Sequence, residues 1–279
     1  LRFDGRRLEG DAVLVLLRGF ASANLDEFPF LPVTSTDVVA THGTATDLVL
    51  ADFAADSALV PPQLELALAV PSDSLAGVGD GNHVRFYRLL AAVGPAGRRW
   101  AQSIDGDGRV ALAVGNGPTR LAVADFDGSG TADLMVANDV DSTLRVFLND
   151  GTPAARSGEV SISAFHESFG SPLATGTGKH THLRLGDIDG DGNVDALLAT
   201  ETTIAGGDLS TQVVFHLSAG AGEFGNAIRV SPTRLGNRDA RLSLDLGDIN
   251  RDSVPDLTLG WFQGGTQTDN LLVLLGGSL

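Results

Sequence analysis

Apolar runs of strand length recur along the chain, and most are separated by Gly, Asn or Asp, the residues that make tight turns. Three segments align without gaps. They are Leu121-Ala-Val-Ala-Asp-Phe-Asp-Gly-Ser-Gly-Thr-Ala-Asp-Leu-Met-Val, Leu183-Arg-Leu-Gly-Asp-Ile-Asp-Gly-Asp-Gly-Asn-Val-Asp-Ala-Leu-Leu and Leu244-Asp-Leu-Gly-Asp-Ile-Asn-Arg-Asp-Ser-Val-Pro-Asp-Leu-Thr-Leu. Their first loop aspartates, Asp125, Asp187 and Asp248, stand 62 and 61 residues apart. A decayed copy, Leu48-Val-Leu-Ala-Asp-Phe-Ala-Ala-Asp, begins its loop at Asp52, and its spacing of 73 to Asp125 predicts an insertion. Each of the three full copies has a second apolar run and then a third: Leu144-Arg-Val-Phe-Leu, Gln212-Val-Val-Phe-His-Leu and Leu271-Leu-Val-Leu-Leu.

This pattern predicts strands joined by hairpins, and no stretch holds the 3.6-residue apolar period of a capped helix. Runs such as Leu121–Ala124 and Ala196–Ala199 are apolar or small on both faces, as in sheets covered on both sides. Repeats of about 60 residues with three or four strands are long for a β-helix coil and suit a propeller blade. The expected fold is therefore all-β: a β-propeller of four-stranded antiparallel blades, with about four to five blades visible, as a closed ring or part of a larger one. Residues 1–279 read as one such domain. Asp11-Ala-Val-Leu-Val-Leu-Leu-Arg-Gly is similar to Asp269-Asn-Leu-Leu-Val-Leu-Leu-Gly-Gly, so the two ends are expected to share one blade if the ring closes.

Composition narrows the function. With 43% hydrophobic residues the chain can bury a core, and with no Cys it has neither disulfides nor thiol chemistry. The formal net charge is −16, and Lys179 is the single lysine. Such a chain repels nucleic acid and anionic membranes. No apolar run approaches the roughly 18–20 residues of a membrane span. The start at Leu1, with neither Met nor leader, reads as a processed or trimmed product.

Much of the acidity sits in the aligned loops. The second full copy reads Asp187, Asp189, Asp191, Gly192, Asn193 and Asp195 at positions one, three, five, six, seven and nine. Alternate carboxylates in a tight loop converge on one point, and Ca²⁺ wants six to eight hard oxygens at about 2.3–2.6 Å. Glycine at position six supplies the positive φ that turns the chain around the ion. Position seven would contribute its backbone carbonyl. The first copy places Asp125, Asp127, Ser129, Gly130, Thr131 and Asp133 at the same positions. The third places Asp248, Asn250, Asp252, Ser253, Val254 and Asp256 there. Ser253 in place of Gly costs backbone strain and Asn250 removes a charge, so this third site is expected to be the weakest. Position twelve is Val136, Leu198 or Leu259 rather than the Glu of an EF-hand, and the flanks read as strands.

These loops, the approach Val-Ala-Asp-Phe-Asp-Gly and the trailing Val-Ala-Asn resemble FG-GAP/VCBS repeats. Gly220-Ala-Gly-Glu-Phe-Gly and Phe147-Leu-Asn-Asp-Gly resemble the outer hairpin of the same repeat. The resemblance runs over residues 36–279 and is strongest after 121. It implies the calcium-binding β-propeller of integrin α-chain type, with about three Ca²⁺ as structural staples and a role in extracellular, cell-surface or periplasmic recognition.

Other signals carry less. Ser103 to Gly108 imitates a calcium loop, but Ser103 and Ala111 hold its first and ninth positions, so it reads as a hairpin or a dead site. The Asp52 copy has Ala54 at position three and is expected to hold no metal. Gly220-x-Gly222-x-x-Gly225 has no helix after it, which speaks against a dinucleotide site. His180 and His182 are expected on one face of a strand, and Tyr87, Trp100 and Trp261 mainly in blade packing. No nucleophile elbow, zinc signature or phosphate loop appears. The leading expectation is a non-catalytic binding or adhesion module for a protein or glycan partner. A propeller lyase or hydrolase and an architectural subunit of a surface assembly are the alternatives.

Overall fold

The computed structural model describes residues 2–3, 8–9, 47–51, 53–54, 65–70, 82–90, 99–102, 111–153, 160–203, 209–230, 234–235, 241–262 and 270–276. Two short strands, β1 (Arg2–Phe3) and β2 (Leu8–Glu9), pair with each other. Among the described residues, four larger antiparallel sheets follow one after another. The first contains β3 (Asp47–Ala51), β4 (Glu65–Val70), β5 (His83–Leu90) and β6 (Arg99–Gln102), with β7 (Leu112–Ala113) also on β5. The second contains β8 (Pro118–Ala124), β9 (Asp133–Asn138), β10 (Thr143–Asn149) and β11 (Phe165–Glu167), with β12 (Leu173–Ala174) on β10.

The third sheet contains β13 (Lys179–Gly186), β14 (Asp195–Thr203) and β15 (Leu209–His216). A hairpin of β16 (Ser218–Gly220) and β17 (Glu223–Phe224) interrupts it before β18 (Ile228–Val230) and β19 (Arg234–Leu235) rejoin β15. The fourth contains β20 (Arg241–Gly247), β21 (Asp256–Phe262) and β22 (Asn270–Leu274). The helical content among the described residues is one 3₁₀ turn, Ile162–Ala164. The chain is all-β and its sheets are blade-like, as the repeats predict.

The first strand of each sheet packs beside the first strand of the next: β3 by β8, β8 by β13, β13 by β20. Polar bonds tie these inner strands. Leu121 N–H donates to Asp47 Oδ2 at 2.9 Å, Arg120 Nε to the Thr181 carbonyl at 2.8 Å, and Arg184 Nε to Asp245 Oδ1 at 3.1 Å.

Both faces of the inner sheets are buried because blade packs on blade. Phe53, Ala67, Ala69, Val84 and Phe86 of the first blade meet Leu121, Leu134, Val136, Phe147 and Phe165 of the second. Phe86 stacks on Phe165 with ring centroids 5.1 Å apart, and Phe53 meets Phe86 edge-on at 5.2 Å. Phe126, Met135, Leu144, Val146 and Leu148 then face Leu183, Ala196, Leu198 and Val214 of the third blade. Ile188, Leu197 and Val213 face Leu244, Leu257 and Leu259 of the fourth. Each fully buried side chain of this size contributes about 1.5–3 kcal/mol, so the seams between blades are the core. The corresponding positions of the fourth blade, Ile249, Leu271, Val273 and Leu275, are exposed.

A β-bulge recurs at Thr119 and Thr181, where Pro118 and Arg120 pair with Asn138 and Ala137, and His180 and His182 with Thr200 and Ala199. Cross-strand partners share a face, so His180 and His182 lie on opposite faces, against the alternation read from sequence. His180 is fully buried at the seam. Its Nδ1 lies 2.7 Å from Asp139 Oδ1 and its Nε2 2.8 Å from Thr175 Oγ1. Tyr87 is buried as expected of blade packing, whereas the side chains of Trp100 and Trp261 lie outside the described residues.

Candidate metal centre

Each aspartate loop runs from the end of a blade's first strand to the start of its second. Position nine opens the second strand, and its carboxylate is buried. One oxygen holds the loop: Asp133, Asp195 and Asp256 each accept at 2.7 Å the N–H of position two, from Phe126, Ile188 and Ile249 respectively. The other oxygen reaches across the blade to the end of the third strand or just past it. Asp133 accepts from Asn149 N–H at 2.8 Å, Asp195 from Ser218 N–H at 2.7 Å and Asp256 from Gly276 N–H at 2.8 Å.

The first blade repeats the loop-holding half of this arrangement with a residue outside the loop alignment. Buried Glu65, the first residue of β4, accepts the N–H of Phe53 at 2.9 Å and of Ala54 at 3.2 Å through Oε2. The insertion ahead of β4 hides the match. The signal available in the sequence was a single carboxylate opening the apolar run 65–70. Asp52, Asp56 and the loop at 103–110 lie outside the described residues.

The loop interiors are shaped by short aspartate turns. Asp125 Oδ2 accepts Gly130 N–H at 2.9 Å, and Asp127 Oδ1 accepts Ser129 N–H at 2.9 Å. In the third blade, Asp187 takes the N–H of Gly190 at 2.8 Å and of Gly192 at 2.9 Å. The glycines at positions four and six, Gly128, Gly130, Gly190 and Gly192, all have φ between 75° and 91°. The fourth blade keeps that backbone without glycine. Arg251 stands at φ 65° and Ser253 at 74°, so two side-chain-bearing residues occupy the left-handed region. The strain expected at Ser253 is present, and Arg251 adds to it.

In two loops the carboxylates converge. Oxygens of Asp125, Asp127 and Asp133, and likewise of Asp187, Asp189 and Asp195, all lie within 4.8 Å of one another. Among the described residues these are the two groups of three that could hold a metal ion, and the Asp248 loop forms no third. There Asn250 replaces a carboxylate and donates through Nδ2 to Asp252 Oδ2 at 2.8 Å. Position five stands apart from the converging group. Asp191 accepts both the backbone and side-chain N–H of Asn193 at 2.8 Å, which holds its carboxyl below the ordinary range. Ser129 Oγ lies 2.8 Å from Thr131 Oγ1, while Val254 donates its N–H to Asp252 at 2.9 Å.

Burial pushes the Asp133 carboxyl up to about 6, against the stabilising N–H groups of Asn149 and Phe126, and the charges of Asp127 and Asp125 push the same way. Burial also raises Asp195. Crowded, partly desolvated negative charge with oxygen donors alone fits a hard divalent cation better than a transition metal. Each position-nine oxygen that accepts one N–H keeps a second lone pair for such an ion.

Blade-like antiparallel sheets with an acidic loop between first and second strands define a β-rich repeat protein of propeller type. Residues 125–198 match the family model of the FG-GAP-like repeat, from the first aspartate of one convergent loop through the whole of the next. Over those residues the chain carries an FG-GAP-like repeat. Such repeats usually occur in extracellular domains and often bind calcium. No curated protein matches the chain. Among the described residues, no helix is long and apolar enough to cross a membrane.

Proposed function

We propose that this protein is a calcium-stabilised, non-catalytic binding or adhesion module that acts outside the cytoplasm and recognises a protein or glycan partner. The observation that carries the reading is the repetition of one convergent carboxylate triad at the same place in two successive blades, within the span that matches the FG-GAP-like repeat. Asp125, Asp127 and Asp133 would hold one Ca²⁺, and Asp187, Asp189 and Asp195 another. The Asp248 loop is the weakest candidate. Bound calcium cancels the repulsion within each triad and reinforces a turn already tied to the third strand through position nine.

Millimolar calcium outside the cell fills even weak sites of this class, while submicromolar cytosolic calcium leaves many empty. A cation that binds only the folded state stabilises it by about 2.7 kcal/mol per site at a hundred times Kd. The test is thermal unfolding in millimolar Ca²⁺ and in excess EGTA, with bound calcium counted per chain. A clear rise in Tm with about two ions bound supports the reading, whereas no shift and no bound calcium refutes it. Screening arrays of extracellular proteins and glycans, with and without Ca²⁺, then tests recognition.

A further inference from the structure

The hairpin of β16 and β17 belongs to the third blade but touches the metal loops of two blades. At its base, Ser218 donates its N–H to Asp195 Oδ1 at 2.7 Å, the ninth position of its own blade's loop. Gly220 is bonded back to Ser218 Oγ at 3.1 Å, and a Cβ placed on Gly220 would stand 3.2 Å from Oδ1 of Asn193, the seventh position. At its tip, Gly222 donates its N–H to the Phe126 carbonyl at 2.8 Å. That carbonyl belongs to the peptide leading into Asp127.

The tip is held closely. Ser168 Oγ donates to the Gly222 carbonyl at 2.7 Å, and a Cβ on Gly222 would come within 2.6 Å of Leu148 Cδ2. Gly222 also stands at φ 74°, so glycine is required there twice over. Phe224 meets Phe126 edge-on with centroids 5.6 Å apart. The preceding pair of blades has the same connection in shorter form. Asn149 donates its backbone N–H to Asp133 at 2.8 Å and its side-chain Nδ2 to the Phe53 carbonyl at 2.9 Å. In both seams, residues at or just past the end of one blade's third strand bond their own position nine and the position-two carbonyl of the blade before.

We propose that the Asp125 and Asp187 loops take up divalent cations cooperatively, with the Ser218–Phe224 hairpin as the coupling element. This rests on the calcium reading above. Fixing Asp195 fixes Ser218, and through the short hairpin it fixes the Gly222 N–H that holds the Phe126–Asp127 peptide. The ordering needed at the Asp125 loop is then partly complete before its own ion arrives, which is positive coupling without a change of shape. The effect is reciprocal, since linkage requires each site to favour the other equally.

The test is a calcium titration of the ¹⁵N-labelled full chain, followed at the amides of Gly130 and Gly192. Each donates to the first aspartate of its loop at 2.9 Å, so each reports one site. The double substitution Asp187→Asn with Asp189→Asn silences the third-blade loop without touching the hairpin. It is expected to raise the Kd read at Gly130 by about fivefold or more, the lower end of usual coupling. In a Phe224→Ala, Ser168→Ala background the same silencing is expected to move that Kd by less than about twofold. If both glycines titrate in the parent but the Gly130 Kd ignores silencing, the coupling is refuted and the calcium reading stands. If neither glycine responds to millimolar calcium, the calcium reading itself fails, and the coupling with it.

Discussion

Asn149 of the second blade donates its side-chain Nδ2 to the carbonyl of Phe53 in the first, at 2.9 Å, while its own N–H holds Asp133. One buried residue thereby closes the loop of one blade and holds the loop entry of another. Replacing it with Ala leaves the Phe53 carbonyl without that donor, and a buried group so stranded costs about 1–3 kcal/mol. Asn149→Ala should lower stability by that amount in urea titrations run in EGTA, where metal plays no part. An unchanged midpoint would show that the seam does not need this bond.

Asp195 is expected to matter with or without calcium, because both of its oxygens hold buried backbone N–H groups. Asp195→Ala strands the N–H groups of Ile188 and Ser218 and should cost about 2–5 kcal/mol in EGTA. Asp195→Asn keeps one acceptor and should lie between. Equal stability of all three proteins in EGTA would mean that this carboxylate serves the metal alone.

The sign of the Asp133 shift gives a pH dependence. Its carboxyl titrates near 6 when folded, above the ordinary 3.8, so the folded chain holds the proton more tightly than the unfolded one. Without metal, its contribution to stability must fall as pH rises from about 4 to about 6, by at most about 3 kcal/mol. Asp195 is raised by burial and acts in the same direction. Comparing parent and Asp133→Asn from pH 4 to 7 in EGTA isolates the effect, and a parent that gains stability relative to the variant over this window would overturn it. With calcium present the ion competes with the proton, so its stabilising effect should grow over the same window.

Ser253 and Arg251 hold the left-handed backbone that glycine supplies in the other loops. Ser253→Gly should therefore raise stability slightly, by up to about 1 kcal/mol, whereas Gly192→Ala should lower it by a similar amount. Matched thermal melts in EGTA would reveal the opposite signs. Two changes of the same sign would remove backbone strain as the difference between these loops.

His180 is fully buried between the second and third blades against Asp139, which also accepts its backbone N–H at 2.8 Å and the Thr119 hydroxyl at 2.8 Å. Burial opposes the charge on Asp139, but these donors together hold its carboxyl below the ordinary range. His180→Ala removes the ring and leaves part of that carboxylate unpaired, with an expected loss of about 2–4 kcal/mol. Differential scanning calorimetry checks it, and a loss under about 0.5 kcal/mol would show the contact to be incidental.

The repeat spacing, strand-length runs and Asp-Gly loops were legible because each depends on a few neighbouring residues. Positions one, three and nine converge as their alternation in a tight turn requires. Glu65 was not legible, because an insertion separates it from its loop and a carboxylate one carbon longer does the same work. Nor was the turning of Asp191 toward Asn193, since that choice between ligand and local turn is made in three dimensions. The bulge at Thr181 likewise defeats simple alternation, and it is what sends His180 into the seam and His182 to the opposite face.

By itself the sequence determined the all-β repeat architecture, the place of each acidic loop between first and second strands, and the loop in which glycine is missing. These follow from local turn geometry and from apolar periodicity, which neighbouring residues set. Only the tertiary structure decided that position nine ties the loop to the far strand, that burial pushes the Asp133 carboxyl up to about 6, and that one blade's hairpin caps the loop of the blade before. Those depend on contacts between residues tens of positions apart, brought together when apolar faces of successive blades leave water.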